Sequence, residues 1–275
     1  MNEMNGDRLL EDEVKRARND GVQDGDGLPF LLVPAGAVAA VLLVHGFSAT
    51  PREMRPLAEK LAEWGYACVA VRLPGHGTSP EDLATRSWEE WLETTVRGYD
   101  LLTRHFRRVY GTGMSTGSLL LLALARQRQL PGLVLLSPYL RLRHPLAPVA
   151  GWLRHLYPYQ QRSLDDDEAG HYYARRPLAG IHQINRLVRT LAPHLGEIAV
   201  PVLAIHGEGD ETIDIDSGRQ LVEGLGSAVK VYERFGPEAR HVLTNADNPH
   251  RGAIFDLIGK FVGELEDQAG KVECR

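Results

Sequence analysis

From residue 28 onward the chain alternates short apolar runs with longer amphipathic segments. Six runs rich in apolar or β-branched residues have the length of buried parallel strands; they span residues 39–44, 68–72, 108–111, 133–137, 202–206 and 229–233. The segments between them have the length and pattern of helices, at residues 51–64, 88–103, 117–127, 217–224 and 253–265. This alternation predicts an α/β fold with a mostly parallel central sheet flanked by helices.

Two stretches depart from this alternation. Residues 1–27 are polar and lack a sustained apolar face, which predicts a loose or helical N-terminal arm that the fold does not need. Residues 139–197 stand where a single helix is expected and are rich in Tyr, Arg, His and Pro, which predicts an inserted, mainly helical cap. An acidic run at 165–168 within it is interpreted as a solvated loop or helix start. The core then comprises residues 28–138 and 198–275.

Composition excludes several classes of function. The formal net charge of −5 provides no basic stripe for a row of phosphates, so nucleic acid is not an expected partner. The longest apolar run, residues 35–44, is about half as long as a membrane-spanning helix. Two cysteines and an acidic N-terminus predict neither a disulfide framework nor secretion, hence a cytoplasmic location. Small molecules are the expected ligands, and no metal-binding motif is present.

The motif with most chemical content lies where a predicted strand turns directly into a helix. Here Gly113-Met114-Ser115-Thr116-Gly117 has the pattern Gly-x-Ser-x-Gly. Such a turn strains the serine backbone, and side chains at Gly113 or Gly117 would collide with a neighbouring strand or helix. The turn also directs a backbone amide and the positive helix end toward an anion formed beside Ser115.

The Gly-x-Ser-x-Gly pattern alone is a weak signal, because a plain glycine-rich turn can contain it. A dinucleotide-binding fold would need an acidic residue after the next strand, which ends Leu136-Ser137-Pro138. A phosphate-binding loop would need Gly-Lys-Ser/Thr, which is absent. We therefore interpret Ser115 as a nucleophile.

A nucleophilic serine needs a histidine base, and the histidine needs a carboxylate to orient it. On sheets of this kind the order along the chain is nucleophile, acid, histidine. Asp210 follows the strand at 202–206, and His241 follows the strand at 229–233, so these two residues are the predicted acid and base. Asp214 is a rival acid. Structural explanations at turns or a strand end apply to His45, His76 and His206, and His250 comes too late in the chain.

Acyl transfer also needs hydrogen-bond donors for the oxyanion. The amide of Thr116, next to the nucleophile, is the first predicted donor. The loop after the strand at 39–44 continues His45-Gly46-Phe47, and the amide of Phe47 is the second. The alternative for Phe47 is that it merely packs in the core.

Further motifs accompany these residues: Val41-Leu42-Leu43-Val44-His45-Gly46-Phe47, Met54-Arg55-Pro56-Leu57-Ala58-Glu59, Gly65-Tyr66, Arg72-Leu73-Pro74-Gly75-His76-Gly77-Thr78, Glu81-Asp82, Trp88, Trp91, Gly98-Tyr99 and His241-Val242. Over residues 28–137 and 198–265 the chain resembles the carboxylesterase and monoacylglycerol lipase group of bacterial α/β-hydrolases. The resemblance implies an α/β-hydrolase fold, a triad of Ser115, Asp210 and His241, oxyanion donors at Phe47 and Thr116, no cofactor, and small acyl esters as substrates. It does not cover the cap.

The turn around Ser115 departs from the lipase pattern, since Ser115-Thr116-Gly117-Ser118 stands where Ser-Met-Gly-Gly is common. Ester or monoacylglycerol hydrolysis is the leading hypothesis. The same triad could serve thioester, lactone, amide or carbon–carbon hydrolysis, or acyl transfer, and a non-catalytic binding protein is a third hypothesis. The cap aromatics Trp152, Tyr157 and Tyr159 are expected to line the acyl pocket; alternatively they only pack the cap onto the sheet.

Overall fold

The computed structural model describes residues 6–144, 147–162, 164 and 171–273; the acidic run at 165–168 lies outside them. The strands are β1 Phe30–Leu32, β2 Ala40–Val44, β3 Ala67–Val71, β4 Val109–Met114, β5 Leu133–Leu136, β6 Tyr159–Gln161, β7 Arg175–Pro177, β8 Val202–Gly207 and β9 Lys230–Phe235. The helices are α1 Gly6–Asn19, α2 Arg55–Glu63, α3 Pro80–Thr85, α4 Trp88–Thr103, α5 Thr116–Ala125, α6 Ala150–Leu153, α7 Leu178–Leu191, α8 Ile215–Gly224 and α9 Arg251–Glu273.

The predicted α/β fold with a mostly parallel sheet is confirmed. Seven strands pair in the order β1-β3-β2-β4-β5-β8-β9, and among these pairings only β1 with β3 is antiparallel. The six predicted strands are all present, with ends within three residues of the expected ones. Strands β2, β3, β4, β5 and β8 are buried throughout, because helices cover both faces of a parallel sheet.

Parallel pairing determines where the functional loops lie. The carboxyl ends of β4, β8 and β9 meet at one edge of the sheet, and the loops that carry Ser115, Asp210 and His241 follow these three strands. Ligands of open α/β sheets bind at this edge. Within the described residues, no helix combines the length and apolar composition that a membrane span requires.

The N-terminal arm is a helix that packs on the core. Leu10 and Ala17 are buried, and Val14 packs against the same cluster. Arg97 Nε lies 2.8 Å from Glu13 Oε1, and this ion pair connects α1 to α4. Leu10, Val14 and Ala17 form an apolar stripe at helical spacing that the sequence interpretation overlooked. That the fold does not need the arm stays a prediction.

Residues 139–197 connect β5 to β8, and we call them the cap segment. Its described parts contain α6 and α7, as a mainly helical insertion predicts, but also the antiparallel pair β6 and β7. These two strands were not predicted, because each has three residues and no apolar alternation. The division of the chain into core and cap domains stays a prediction.

Candidate active site

Ser115 lies at the sharp turn between β4 and α5. It is largely buried and has a φ of +53°, in a region that non-glycine residues adopt only under strain. A Cβ built on Gly113 would lie 2.5 Å from the carbonyl carbon of Gly117, and one on Gly117 would lie 2.1 Å from the oxygen of Val44. No real side chain is accommodated at such distances, so the strained turn requires both glycines.

Hydrogen bonds hold this turn against the neighbouring strand. The amide of Ser115 donates to the oxygen of Leu136 in β5 at 2.7 Å. The Ser118 hydroxyl lies 2.6 Å from the oxygen of Gly113 and 3.2 Å from that of Leu136. Ser118, one of the departures from the lipase pattern, therefore links helix α5 to the end of β4.

The structure brings the three predicted residues Ser115, Asp210 and His241 together. His241 Nε2 lies 2.9 Å from Ser115 Oγ, and His241 Nδ1 lies 2.6 Å from Asp210 Oδ2. A proton on Nδ1 is held by the carboxylate, which leaves Nε2 to accept the proton of the serine. The backbone next to this contact is also fixed, since Ser137 Oγ donates to the oxygen of His241 at 2.8 Å.

Asp210 is held as a buried carboxylate. Its Oδ1 accepts from the amides of Thr212 at 2.8 Å and Ile213 at 3.1 Å. Burial by itself would raise the pKa of Asp210, but the charge and hydrogen bond of His241 and the two amides outweigh burial, so the pKa lies below the ordinary value. The rival Asp214 instead caps α8, accepting from the amide of Ser217 at 3.3 Å.

The remaining candidate histidines make other contacts, and among the described residues none of them is hydrogen-bonded to Ser115. His45 Nδ1 donates to the oxygen of Gly46, and His206 Nε2 donates to that of Pro138. Burial lowers the pKa of each to about 4, so both rings are neutral in the folded protein at neutral pH. His76 is also fully buried, and His250 lies 3.6 Å from Glu238.

The loop of Phe47 has a defined backbone orientation. The oxygen of Gly46 accepts from His45 Nδ1 at 2.9 Å and from the amide of Ala49 at 3.3 Å. In a trans peptide the N–H points opposite to the C=O, so the Phe47 amide points away from these donors. Among the described residues it has no hydrogen-bond acceptor, and Gly46 and Phe47 both line the cavity beside Ser115.

The two interpretations of Phe47 concern different atoms. Its ring packs 5.9 Å from that of His76 and 6.0 Å from that of Trp91, as a core residue would. Its backbone amide is available beside the cavity. Thr116, the other predicted donor, is the first residue of α5 and lines the same cavity.

Two residues of the site, Tyr139 and Glu53, were not found from the sequence. Tyr139 places its hydroxyl 3.0 Å from Thr116 Oγ1 and also interacts with the hydroxyl of Ser115. Burial raises the pKa of Tyr139 to about 12, so the hydroxyl stays protonated. Glu53 accepts from the Gly46 amide at 2.6 Å and from the Tyr172 hydroxyl at 2.7 Å. No motif marks these residues, because their contacts arise only in the folded chain.

Glu53 is a buried carboxyl group beside the oxyanion loop. Burial raises the pKa of Glu53 above the ordinary glutamate value, although the hydrogen bonds from Tyr172 and Gly46 act in the opposite direction. A Cβ built on Gly46 would lie 3.4 Å from Glu53 and 3.5 Å from Ser115 Cβ. A side chain at position 46 would therefore contact both the Glu53 carboxyl group and Ser115.

A cavity of about 800 Å³ contains these groups and extends under the cap segment. Its apolar wall consists of Phe47, Leu142, Ala147, Ala150, Leu153, Leu178, Ile181, Ile184 and Val242. Tyr157 and Tyr159 line it, as expected of the cap aromatics. Trp152 does not: it is 70% exposed, because α6 turns Ala150 inward and Trp152 lies on the opposite side.

Known proteins support the same assignment of fold. The thermostable monoacylglycerol lipase of Bacillus sp. (strain H-257) is 30% identical over 208 residues, which are 74% of this chain and 83% of that one. The carboxylesterase of Bacillus subtilis (strain 168) is 25% identical over 239 residues, 84% of this chain and 95% of that one.

A solved structure from work on LipS and LipT, two metagenome-derived lipolytic enzymes, shares the fold. Its TM-score is 0.79 at 24% identity, covering 87% of this chain and 98% of that one. The family described as serine aminopeptidase, S33 matches residues 35–248, which is more than half of the chain. The chain therefore belongs to this serine hydrolase family of the α/β-hydrolase superfamily.

Proposed function

We propose that the protein is a serine ester hydrolase that forms an acyl-enzyme on Ser115. One observation carries the assignment: within the cavity His241 lies 2.9 Å from Ser115 Oγ and 2.6 Å from Asp210 Oδ2. A serine hydroxyl is almost wholly protonated at neutral pH, and an oriented histidine is what makes it nucleophilic. The named function of the two relatives agrees with this reaction.

In acylation, Ser115 Oγ forms a bond to the carbonyl carbon of the ester while its proton passes to His241 Nε2. The carbonyl oxygen becomes an oxyanion, which accepts hydrogen bonds from the amides of Phe47 and Thr116. The carbon–oxygen bond to the alcohol then breaks, and His241 returns the proton to the leaving alkoxide. The product is an ester of the acyl group with Ser115.

Deacylation repeats these steps with water in place of the serine. The water oxygen bonds to the acyl carbon while His241 takes a proton from the water. The second oxyanion accepts hydrogen bonds from the same amides, those of Phe47 and Thr116, which form the oxyanion hole. When this tetrahedral intermediate breaks down, the bond between the acyl carbon and Ser115 Oγ breaks, His241 returns the proton to Ser115 Oγ, and the carboxylic acid is released. Asp210 remains a carboxylate throughout, in agreement with its lowered pKa, and stabilises the imidazolium of each intermediate.

The cavity favours a carboxylic ester with an apolar acyl chain, as in a carboxylesterase or a monoacylglycerol lipase. Most of the cavity wall is aliphatic or aromatic, which matches an acyl chain better than a charged group. The family description names an aminopeptidase, whose substrate carries an N-terminal ammonium. Glu53 and Glu211 are the carboxyl groups among the described residues of the cavity wall, and the wall as a whole suits an apolar chain better than that ammonium.

A hydrolysis panel tests this function. We expect turnover of acyl esters and monoacylglycerols, with much slower turnover of thioesters, lactones and aminoacyl amides, and loss of every activity in Ser115→Ala. Faster cleavage of thioesters or amides than of matched esters would replace the ester assignment with the alternative reaction.

A cytoplasmic location forms part of the same proposal. Two cysteines in 275 residues suit a reducing compartment, and Cys68 is a free, buried thiol.

A further inference from the structure

The loop that carries the Phe47 amide is held partly by the cap segment. We call residues 46–49 the oxyanion loop. The hydroxyl of Tyr172 donates to Glu53 at 2.7 Å, and Glu53 in turn accepts from the Gly46 amide at 2.6 Å. The backbone amide of Tyr173 donates to the oxygen of Ser48 at 3.2 Å. Two adjacent cap residues therefore support the oxyanion loop, Tyr173 by a direct bond to Ser48 and Tyr172 through Glu53.

The oxyanion loop does not adopt its shape by local preference. Ser48 has a φ of +64°, which a side-chain-bearing residue adopts only at a cost in free energy. Such a conformation persists when its surroundings hold it. The bond from Tyr173 falls on Ser48 itself, so the cap segment holds the strained residue directly.

Glu53 fixes the peptide plane that precedes the oxyanion donor. The N–H of Gly46 is committed to Glu53, and the C=O of Gly46 is committed to His45 and Ala49. The Phe47 N–H lies in the same peptide plane as the Gly46 C=O, and the Gly46 N–H lies in the plane before it. Because both planes are held by hydrogen bonds, the direction of the Phe47 N–H is determined. Without Glu53, the buried N–H of Gly46 would lack a partner, and the peptide plane between His45 and Gly46 would be free to rotate.

The chemistry of the Glu53 contact is compatible with either charge state. As a carboxylate, Glu53 accepts from both Gly46 and Tyr172. As a carboxylic acid, it keeps the Gly46 bond on one oxygen and donates from the other to the Tyr172 hydroxyl. The guanidinium of Arg162 lies 5.0 Å from the centre of the Tyr172 ring, which restrains that ring from the cap side.

We propose that Glu53 is a positioning residue that couples the seating of Tyr172 to the shape of the oxyanion hole, alongside the direct bond from Tyr173 to Ser48. The hole then reaches its active geometry only when the cap segment is seated on the core. This inference rests on the proposed acyl-enzyme function, because it assigns a role to the loop that would bind the oxyanion.

Four variants separate this role from simple structural support. Glu53→Met keeps a similar volume but removes both acceptors, and Tyr172→Phe removes only the hydrogen bond between Glu53 and the cap segment. Glu53→Gln keeps both bonds, because its amide oxygen accepts from Gly46 and its NH₂ donates to Tyr172. Glu59→Gln changes an exposed carboxylate on the following helix and is the matched control.

Two quantities are measured for each variant and compared: the Kd of an alkyl boronic acid and the KM of an ester. Ser115 Oγ adds to boron, its proton passes to His241, and the resulting tetrahedral boronate places one hydroxyl in the oxyanion hole. We expect kcat/KM to fall about 30-fold in Glu53→Met and about 5-fold in Tyr172→Phe. The boronate Kd should rise by similar factors while KM changes less than about 2-fold.

Glu53→Gln should stay within about 3-fold of wild type in both quantities, and Glu59→Gln should match wild type. Wild-type boronate affinity in folded Glu53→Met and Tyr172→Phe would overturn the inference while leaving the ester hydrolase intact. If Glu53→Met does not fold, Tyr172→Phe decides alone, by the same comparison. A wild-type protein that neither binds the boronate nor cleaves esters would overturn the proposed function together with this inference.

Discussion

The sheet edge and the cap segment contribute to one cavity in different ways. At the sheet edge the reacting groups are buried and bound at hydrogen-bond distance: Ser115 is 7% and Asp210 1% exposed. In the cap segment, Trp152, Leu156 and Tyr157 are each more than 60% exposed. Proton transfer between a few atoms requires such fixed contacts. An acyl chain, in contrast, is bound by burial of its apolar surface against the cavity wall. We therefore expect the core to determine the reaction and the cap segment to determine which acyl chain is accepted.

The largest test of this comparison removes the reacting groups. Ser115→Ala or His241→Ala should lower kcat by about 10⁴-fold or more, and Asp210→Asn somewhat less. The reason is that each removes a participant in proton transfer or its orientation. Steady-state kinetics on a short ester measures the effect. Asp214→Asn is the control, since Asp214 caps α8, a role that Asn also fills, and the change should leave kcat as in wild type. A larger loss of kcat in Asp214→Asn than in Asp210→Asn would show that the acid is misassigned.

The second test uses the buried histidines of the core. His45 and His206 have pKa values of about 4, against 6.5 when solvated. Between these values the unfolded chain binds a proton on each ring that the folded chain does not, so the free energy of unfolding falls as the pH falls. From pH 7 to pH 5 the loss should be about 2 kcal/mol per histidine.

Urea unfolding at the two pH values measures this loss. His206→Gln should reduce it by about 2 kcal/mol. Equal pH dependence in wild type and His206→Gln would contradict the account.

The smallest effects are expected in the cap segment and concern selectivity. Each CH₂ buried in the cavity should contribute about 0.8 kcal/mol, or about 4-fold in kcat/KM, until the cavity is full. Tyr159→Ala and Ile181→Ala remove lining groups and should shift the preferred acyl length, with short esters least affected. Trp152→Ala is the control, because Trp152 faces solvent. A chain-length profile that is flat and unaltered in the lining variants would exclude the cap segment from the acyl site.

The same division explains what the sequence could predict. The turn around Ser115 has a local signal, because Gly113 and Gly117 are required by contacts within a few residues or with the adjacent strand. Asp210 and His241 were predictable from their place after strands that the apolar runs define. Their mutual distances agree with the expectation, although their catalytic roles stay proposals.

Glu53 and Tyr139 were not predictable, because the partners of each are decided by tertiary packing. Glu53 falls in a predicted helix, where a glutamate ordinarily faces solvent. In the folded chain it instead lies at a 3-10 turn, residues Pro51–Met54, which directs it toward Gly46. Strand β1, with three residues, and helix α3, with six, were too short to give a periodic signal.

The most direct test of the central claim is covalent labelling with a fluorophosphonate, followed by mass spectrometry of the peptides. Ser115 should displace fluoride from phosphorus as its proton passes to His241, giving one adduct per chain. We expect that adduct on Ser115 alone, its formation to be strongly slowed in His241→Ala, and no adduct in Ser115→Ala. Labelling that persists in Ser115→Ala, or an adduct on another serine of the wild-type protein, would contradict the account.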